Sequence, residues 1–382
     1  MTAHVRHFRF TAVDTLFFGD GRPFLAADEG LNDARSVFPP FPEVVAGALR
    51  VALARGSGWD GHGRFAQFDS ALGEVLGHHR DDPGKLWTSE PVLVDVPSNN
   101  RIYPAPLHLG LDDKDTPVLL APDRAFKTDR GTMRLLCSPD GEPVTSAEGF
   151  WLQAPDFGDI LCGLPPDVGV SGPLNELALA ERRVGIARSP ARRTPQRAQI
   201  YAVSEIRPRQ SLALGVEASG LPTDLKSTDL ALLGGFQRLA GLDEKNWQSA
   251  PPVPSELVNG GRYVVVLTGP MRLEDGDPDW RHDRTNGAVG QLKVTLADHK
   301  TIEKIGPVVA AVVGRPVMIG GWDSESRSPL PMVPCLPAGS VFFIESDQPP
   351  PTEPCRVGSR IAFGYGGCRI GAWPESSKGA DS

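Results

Sequence analysis

Six arginines between positions 182 and 197 are the densest concentration of chemically capable side chains in this 382-residue chain. Arg182, Arg183, Arg188, Arg192, Arg193 and Arg197 fall in RRVGIARSPARRTPQR, a stretch without a single acid. A guanidinium is planar and permanently charged, its fork of donors matches phosphate oxygens, and its face stacks on bases. The formal net charge of −8 argues superficially against a nucleic-acid partner. Taking the six arginines from 39 basic residues leaves 33 against 47 acids, a net of −14. A basic segment concentrated on an acidic body is a local phosphate-binding footprint, which the overall sign does not exclude.

A second candidate is the glycine run FGYGGCRIG near the C-terminus, with Gly364, Gly366, Gly367, Arg369 and Gly371. Glycines let backbone N–H groups approach phosphates closely, and Arg369 would assist. A dinucleotide site would need a helix after the glycines, within a βαβ unit. Pro374 and the polar stretch after it do not supply that helix, so NAD and FAD are excluded. A tight turn serving only the fold remains the other reading of this run. Tyr201 and Phe363 could stack under bases, although core packing is the ordinary role for such rings.

Catalysis finds no support. The eight histidines include His282-Asp283 as a lone pair and His78-His79 in a hydrated GHHRDD segment, without companions that would make a general base or metal cluster. Walker A and G-x-S-x-G motifs are absent from the sequence. Five cysteines, never spaced C-x-x-C, fit reduced cytoplasmic thiols rather than a disulfide frame or zinc site. No catalytic residue, metal or cofactor is expected. The apolar runs Tyr263 to Leu267 and Val308 to Val313 are strand-sized, too short for a bilayer, and no signal peptide is read at the N-terminus.

The elements that must position the arginines are mainly strands. His7 to Val13 alternates as a strand and ends near the turn Gly19-Asp20-Gly21. Pro39, Pro40 and Pro42 delay a helix over Pro42 to Arg55, with Arg50 and Arg55 expected toward its polar side and C-terminal end. A second helical stretch is expected at Phe65 to Leu76, and a strand at Pro91 to Val96. Arg183 to Ala187 and Gln199 to Ile206 read as two strands joined by an arginine- and proline-containing loop, a long hairpin. Gln210 to Glu217 reads as a strand, Asp224 to Leu239 as containing a helix, and SAPPVPS at 249–255 as a linker. RYVVVL at 262–267 restarts the pattern, followed by strands at 292–296, 308–313, 317–319 and 340–344.

Four stretches in fixed order resemble one family: DTLFFGDGRPF with FPPFPEVVAGALR, RVGIAR with QIYAVSEI, IGGWDSES with PAGSVFFIES, and FGYGGCRIG. They resemble the RAMP-superfamily third subunit of the type III-B (Cmr) CRISPR effector complex, across residues 8 to 373. The resemblance implies an α+β fold of two ferredoxin-like (RRM-like) domains with a long insertion and a protruding basic hairpin. The expected division is 1–250, with the insertion at about 88–170 and the hairpin at about 182–206, then 255–373, then a disordered tail at 374–382. It further implies a cytoplasmic, noncatalytic subunit capping the foot of the complex. There it would hold the 5′ tag of the CRISPR RNA beside the large polymerase-like subunit and the first backbone RAMP subunit, meeting target RNA only indirectly. Relatives often place a basic residue where this chain has Gly19. Two rival readings stay open: a RAMP-type endoribonuclease that processes CRISPR transcripts, and a purely structural adaptor.

Overall fold

The computed structural model describes residues 4–21, 32–128, 131–166, 172–188, 191–192, 194–258, 261–274, 282–283, 288–289, 292–296, 302–323, 326 and 328–374. Two large antiparallel sheets organise the chain. The N-terminal sheet runs in the order Trp151–Gln153, Asn100–Pro104, Val92–Asp95, Leu212–Ser219, Arg6–Ala12, Leu239–Glu244, Leu230–Leu232, with Trp87–Thr88 also paired to Leu212–Ser219. Alternation along its first strand explains its position. Phe8 and Phe10 are fully buried on one face, while Arg9 turns to the other and pairs with Asp243 at 2.7 Å.

The helix Pro42–Gly56 covers the apolar face of that sheet. Pro42 sits in its first turn where no N–H is needed, Glu43 lies at the positive end of the dipole, and Arg55 at the negative end. Val45, Leu49, Ala52 and Leu53 pack with Phe8, Phe10, Leu214 and Val216 in one core. Arg50 is not on a polar side. It is buried, donates from Nε to the Leu76 carbonyl at 3.0 Å, and stands over the Phe363 ring; burial pushes its pKa down to about 10. The next helical stretch divides into Phe65–Phe68 and Ser70–Leu76, the second capped by the Asp69 carboxylate on Ala71 N at 2.9 Å.

The C-terminal sheet has seven strands in the order Ile302–Ile305, Leu292–Leu296, Cys355–Val357, Gly367–Ala372, Arg262–Leu267, Val341–Glu345, Val308–Val312. Its strand RYVVVL is continuously apolar from Tyr263 to Leu267 because both faces are covered there. Tyr263, Val265 and Leu267 face one core, and Val264 and Val266 face another that also contains Tyr103 and Phe343 from the two sheets and Phe157 from the helix Ala154–Leu161. Tyr103 and Phe157 stack within it at 4.1 Å.

Three expectations fail here. The segment 224–239 holds no helix: Leu230–Leu232 is an edge strand, and Leu230 is exposed beside buried Ala231, a period of two. The stretch at about 88–170 is not a separate insertion, since three of its strands belong to the N-terminal sheet; 109–146 contributes smaller sheets outside it. The linker is pinned. Ala250 is buried, and its N–H donates to the Tyr103 hydroxyl at 3.1 Å. The tail expected at 374–382 lies outside the described residues from 375 onward.

Candidate nucleic-acid interface

The arginine segment forms the hairpin Ala178–Arg188 and Pro195–Pro208, in a small sheet whose third strand, Asn32–Arg35, runs parallel to the return strand. Arg182 faces Ser204 and Arg183 faces Val203, so the two arginines leave opposite faces of the ribbon. Arg183 turns toward the body. Its Nε lies 3.1 Å from Glu205 Oε2, and its Nη2 donates to the Thr15 hydroxyl at 3.1 Å and sits 3.5 Å from Asp14.

Glu205 is only 3% exposed and gathers several donors: Arg183, the Thr15 hydroxyl and Arg238. Arg207, on the same face, bonds both Glu181 and Asp14, reaching Asp14 at 2.8 Å. Its hydrogen bonds hold both carboxyls below their usual range. Leu16 fixes the backbone, exchanging two 2.8 Å hydrogen bonds with Ile206. The root of the hairpin is therefore closed by charge and by main chain. No run of consecutive residues could show this, because Asp14 lies far away in sequence and Glu205 on the other strand; only Glu181, adjacent to Arg182, is a local signal.

Further out the environment changes. Val184 is 65% exposed, Ile186 is also exposed, and the pairing register shifts between Ile186 and Arg188. Arg188 is exposed at the end of the outgoing strand and Arg192 at the tip, while Arg182 is exposed at the root itself, on the face opposite Arg183. Arg197 lies in the return strand, and Arg193 falls outside the described residues. Tyr201 is partly exposed with its ring laid across Gly185, where a Cβ would overlap it.

The C-terminal glycines are placed otherwise. Gly367 is the buried first residue and Gly371 a buried interior residue of the strand Gly367–Ala372, and neither belongs to a loop. A Cβ on Gly367 would overlap the Glu90 carboxylate, and one on Gly371 would meet Val264 and Leu161. Gly364 and Gly366 have φ of +93° and +73° and pack against the backbone of Ser89 and Val357. Arg369 is bound within the chain, to Glu353 at 2.9 Å and to the carbonyls of Ala250 and Pro251 at 2.9 and 2.8 Å. Phe363 is buried between Arg50 and Arg360. The run reads as an RNA loop in sequence because glycine spacing cannot reveal that Glu90 occupies the space above it.

Glu90 joins the two sheets. It is buried, takes hydrogen bonds from Arg101 at 2.5 Å and Thr268 at 2.6 Å, and lies beside Arg356. Burial opposes its ionisation, but these partners outweigh burial and lower its pKa.

Among the described residues no group of three or more His, Cys, Asp or Glu could hold a metal ion, and no helix is long and apolar enough to cross a membrane. The side chains of His282 and Asp283 are outside the described set. His108 is fully buried, its ring edge-on to Phe343, with neither ring nitrogen hydrogen-bonded; burial pulls its pKa down to about 4. It is a core histidine.

A family model described as CRISPR-associated protein (Cas_Cmr3) matches residues 8–373. A chain in the cryo-EM structure of the type III-B Cmr-beta complex bound to cognate target RNA is similar at 13% identity, covering 88% of this chain and 86% of that one, with a TM-score of 0.46. A chain in the apo Cmr-beta structure is similar at 12% identity over 64% of this chain and 98% of that one, TM-score 0.31. One in a Csm3–Csm4 subcomplex of the type III-A interference complex is similar at 11% identity over 89% and 94%, TM-score 0.35. No curated protein matches.

Proposed function

The chain belongs to the Cas_Cmr3 family of CRISPR-associated proteins, subunits of Cmr-type effector complexes, and from that premise we propose that it is a noncatalytic RNA-binding subunit. It caps the foot of the complex and holds the 5′ tag of the CRISPR RNA, beside the large polymerase-like subunit and the first backbone RAMP subunit. Its two sheets are the centres of two ferredoxin-like domains, at about 1–250 and 255–373.

The observation that carries this reading is the division of labour along the arginine hairpin. Acids and main chain close one face of its root, while Arg182 is exposed on the opposite face there and Arg188 and Arg192 are exposed further out. A ribbon fixed at one end and cationic at the other lies across a single strand of RNA, with phosphates in reach of the guanidinium forks. Arg193 and Arg197 belong to the same proposed contact by sequence. The acidic body leaves the rest of the surface unattractive to RNA, which confines binding to this ribbon.

The test is CRISPR RNA binding by the purified chain over a range of salt. Replacing Arg188 and Arg192 with alanine is expected to weaken binding regardless of base sequence. It should flatten the dependence of log affinity on log salt by about one unit for each phosphate that is no longer neutralised. An unchanged slope would assign these arginines to acidic surfaces of neighbouring subunits, the adaptor reading. Site-specific cleavage of repeat RNA in EDTA would instead support an endoribonuclease.

A further inference from the structure

Phe236 breaks two rules at once. It stands at φ +56°, followed by Gln237 at +53°, in the left-handed region that a residue with a Cβ disfavours. Its ring is 60% exposed, so burial does not offset that strain. The loop that holds it joins Leu230–Leu232 to Leu239–Glu244, and it is built to keep the ring in place. Gly234, at φ +78°, packs so closely on the Phe17 carbonyl that no Cβ fits, and Gly235 N donates to the same carbonyl at 2.8 Å. The Phe236 ring lies 4.6 Å from the half-buried Phe17 ring, tilted by 47°.

Both rings are tied to the root of the arginine hairpin. Phe17 follows Leu16, whose backbone pairs with Ile206 of the return strand. Phe236 precedes by two residues Arg238, which binds the buried Glu205 of that same strand. An aromatic face is thus held rigidly where a chain lying along the hairpin would leave it. Arg183, Arg207 and Arg238 stand on the side toward the hairpin, each paired with Glu205 or Asp14, so they fix the ring's surroundings rather than offer free charge.

We propose that the Phe17–Phe236 pair is a stacking site for one unpaired base of a single-stranded RNA that crosses the arginine hairpin. The proposal rests on the RNA-binding reading above and adds a base-contacting element to it. The chemistry fits. Every base has a π face, so an exposed aromatic ring grips a single strand without reading its sequence, while the exposed arginines further along the hairpin hold its phosphates. The turn from Gly235 to Arg238 takes φ > 0 at both central residues, and a ring that gains contacts only when a base covers it accounts for a phenylalanine at a position that favours glycine or asparagine.

The test uses the full chain and 12-nucleotide single-stranded RNAs carrying the 5′ segment of the CRISPR RNA, with 2-aminopurine placed at one position at a time. Stacking quenches that fluorophore. Quenching confined to one position is expected with the natural chain and with Phe236→Tyr. Phe236→Ala should abolish it and weaken binding about tenfold or more. Phe236→Gly also removes the ring but relieves the left-handed backbone, so it should lose the quench with an unchanged or higher melting temperature. That outcome separates loss of stacking from loss of fold. Arginine-dependent RNA binding that is indifferent to Phe236→Ala and Phe236→Gly would overturn the stacking site while leaving the RNA-binding reading intact. Absence of any RNA binding by the natural chain would overturn both. Loss of assembly with the other complex subunits, with RNA affinity and quench unchanged, would assign the ring to a protein contact and end the proposal.

Discussion

Arg188 and Arg369 both stand in β-strands, near glycines, in segments whose composition points to phosphate. Arg369 has its guanidinium committed to Glu353 and to two carbonyls of the 249–255 segment, so it joins the strand to the connection between the sheets. Arg188 is exposed near the tip of a ribbon that is anchored only at its other end. The difference is one of strand position. Gly367–Ala372 is an internal strand, with neighbours on both edges and side chains above and below it. Ala178–Arg188 is an edge strand of a three-stranded sheet, and its outer half has little beneath it. The same residue types therefore hold the fold together in one place and are displayed in the other.

The widest gap between the two regions should appear on disturbing Glu90. Glu90→Ala leaves Arg101 buried without its carboxylate, and breaking a buried pair by removing one partner costs about 3–5 kcal/mol. Gly367→Ala acts on the same group by overlap, and overpacking of this kind costs about 1–3 kcal/mol. Denaturant unfolding should show both losses. Binding of tagged RNA, measured on the fraction that remains folded, should be unchanged for Gly367→Ala. A variant of normal stability that loses tag-dependent binding would restore this strand as an RNA contact. Acid should expose the same dependence, because the folded-state pKa of Glu90 is lowered below its ordinary value of 4.5. Its contribution is complete above that value and is lost as pH falls through the depressed folded pKa.

His108 acts in a separate pH window. Its ring is buried with neither nitrogen hydrogen-bonded, and its pKa falls from 6.5 to about 4. Between these values the unfolded chain binds a proton that the folded chain refuses, so stability declines as pH drops from 6.5 toward 4 and then levels. At about 1.36 kcal/mol per unit the decline amounts to about 3 kcal/mol. His108→Phe should remove that slope, while hairpin substitutions should leave it intact. A slope that survives His108→Phe would place the titrating group elsewhere.

How much of this was legible in the sequence depends on the range of the interaction. RYVVVL reads as a buried strand because five consecutive apolar residues carry the pattern, and the structure places the strand over Arg262–Leu267. The hairpin reads from alternation in the same way. The leucines at 225, 230, 232 and 233 mimic a helical face, but 230–232 alternates and Gly234-Gly235 lets the chain turn onto Phe17. Arg50 has the spacing of a surface arginine, yet Phe363 arrives from the far end of the chain to cover it. Of the three acids around Arg183 only Glu181 is local, the others coming from positions 14 and 205, and the carboxylate above Gly367 comes from position 90. Local periodicity shows which face a residue is on; it does not show what that face meets.

The finest form of the comparison lies between two adjacent residues. Arg182 and Arg183 have identical side chains and consecutive places in one strand, and the pleat sends them to opposite faces. Removing Arg183 takes a donor from Glu205, which is buried, and leaves that carboxylate with Arg238 and the Thr15 hydroxyl only. A buried acceptor short of a charged partner costs about 1–3 kcal/mol, and the partial exposure of Arg183 puts the expectation at the lower end. Removing Arg182 disturbs no such group, so the change should stay within about 0.5 kcal/mol. The effects on RNA should run the other way. Arg182→Ala is expected to lower the salt slope by about one unit, as when one phosphate is no longer neutralised, and Arg183→Ala to leave it unchanged once stability is accounted for. Urea unfolding and salt-dependent RNA binding on the two single variants give the comparison directly. If both variants lose stability equally, the ribbon's two faces are equally engaged with the body. If both lower the salt slope equally, the acids at the hairpin root do not withhold Arg183 from RNA. Only a crossed result preserves the distinction between an anchoring face and a binding face.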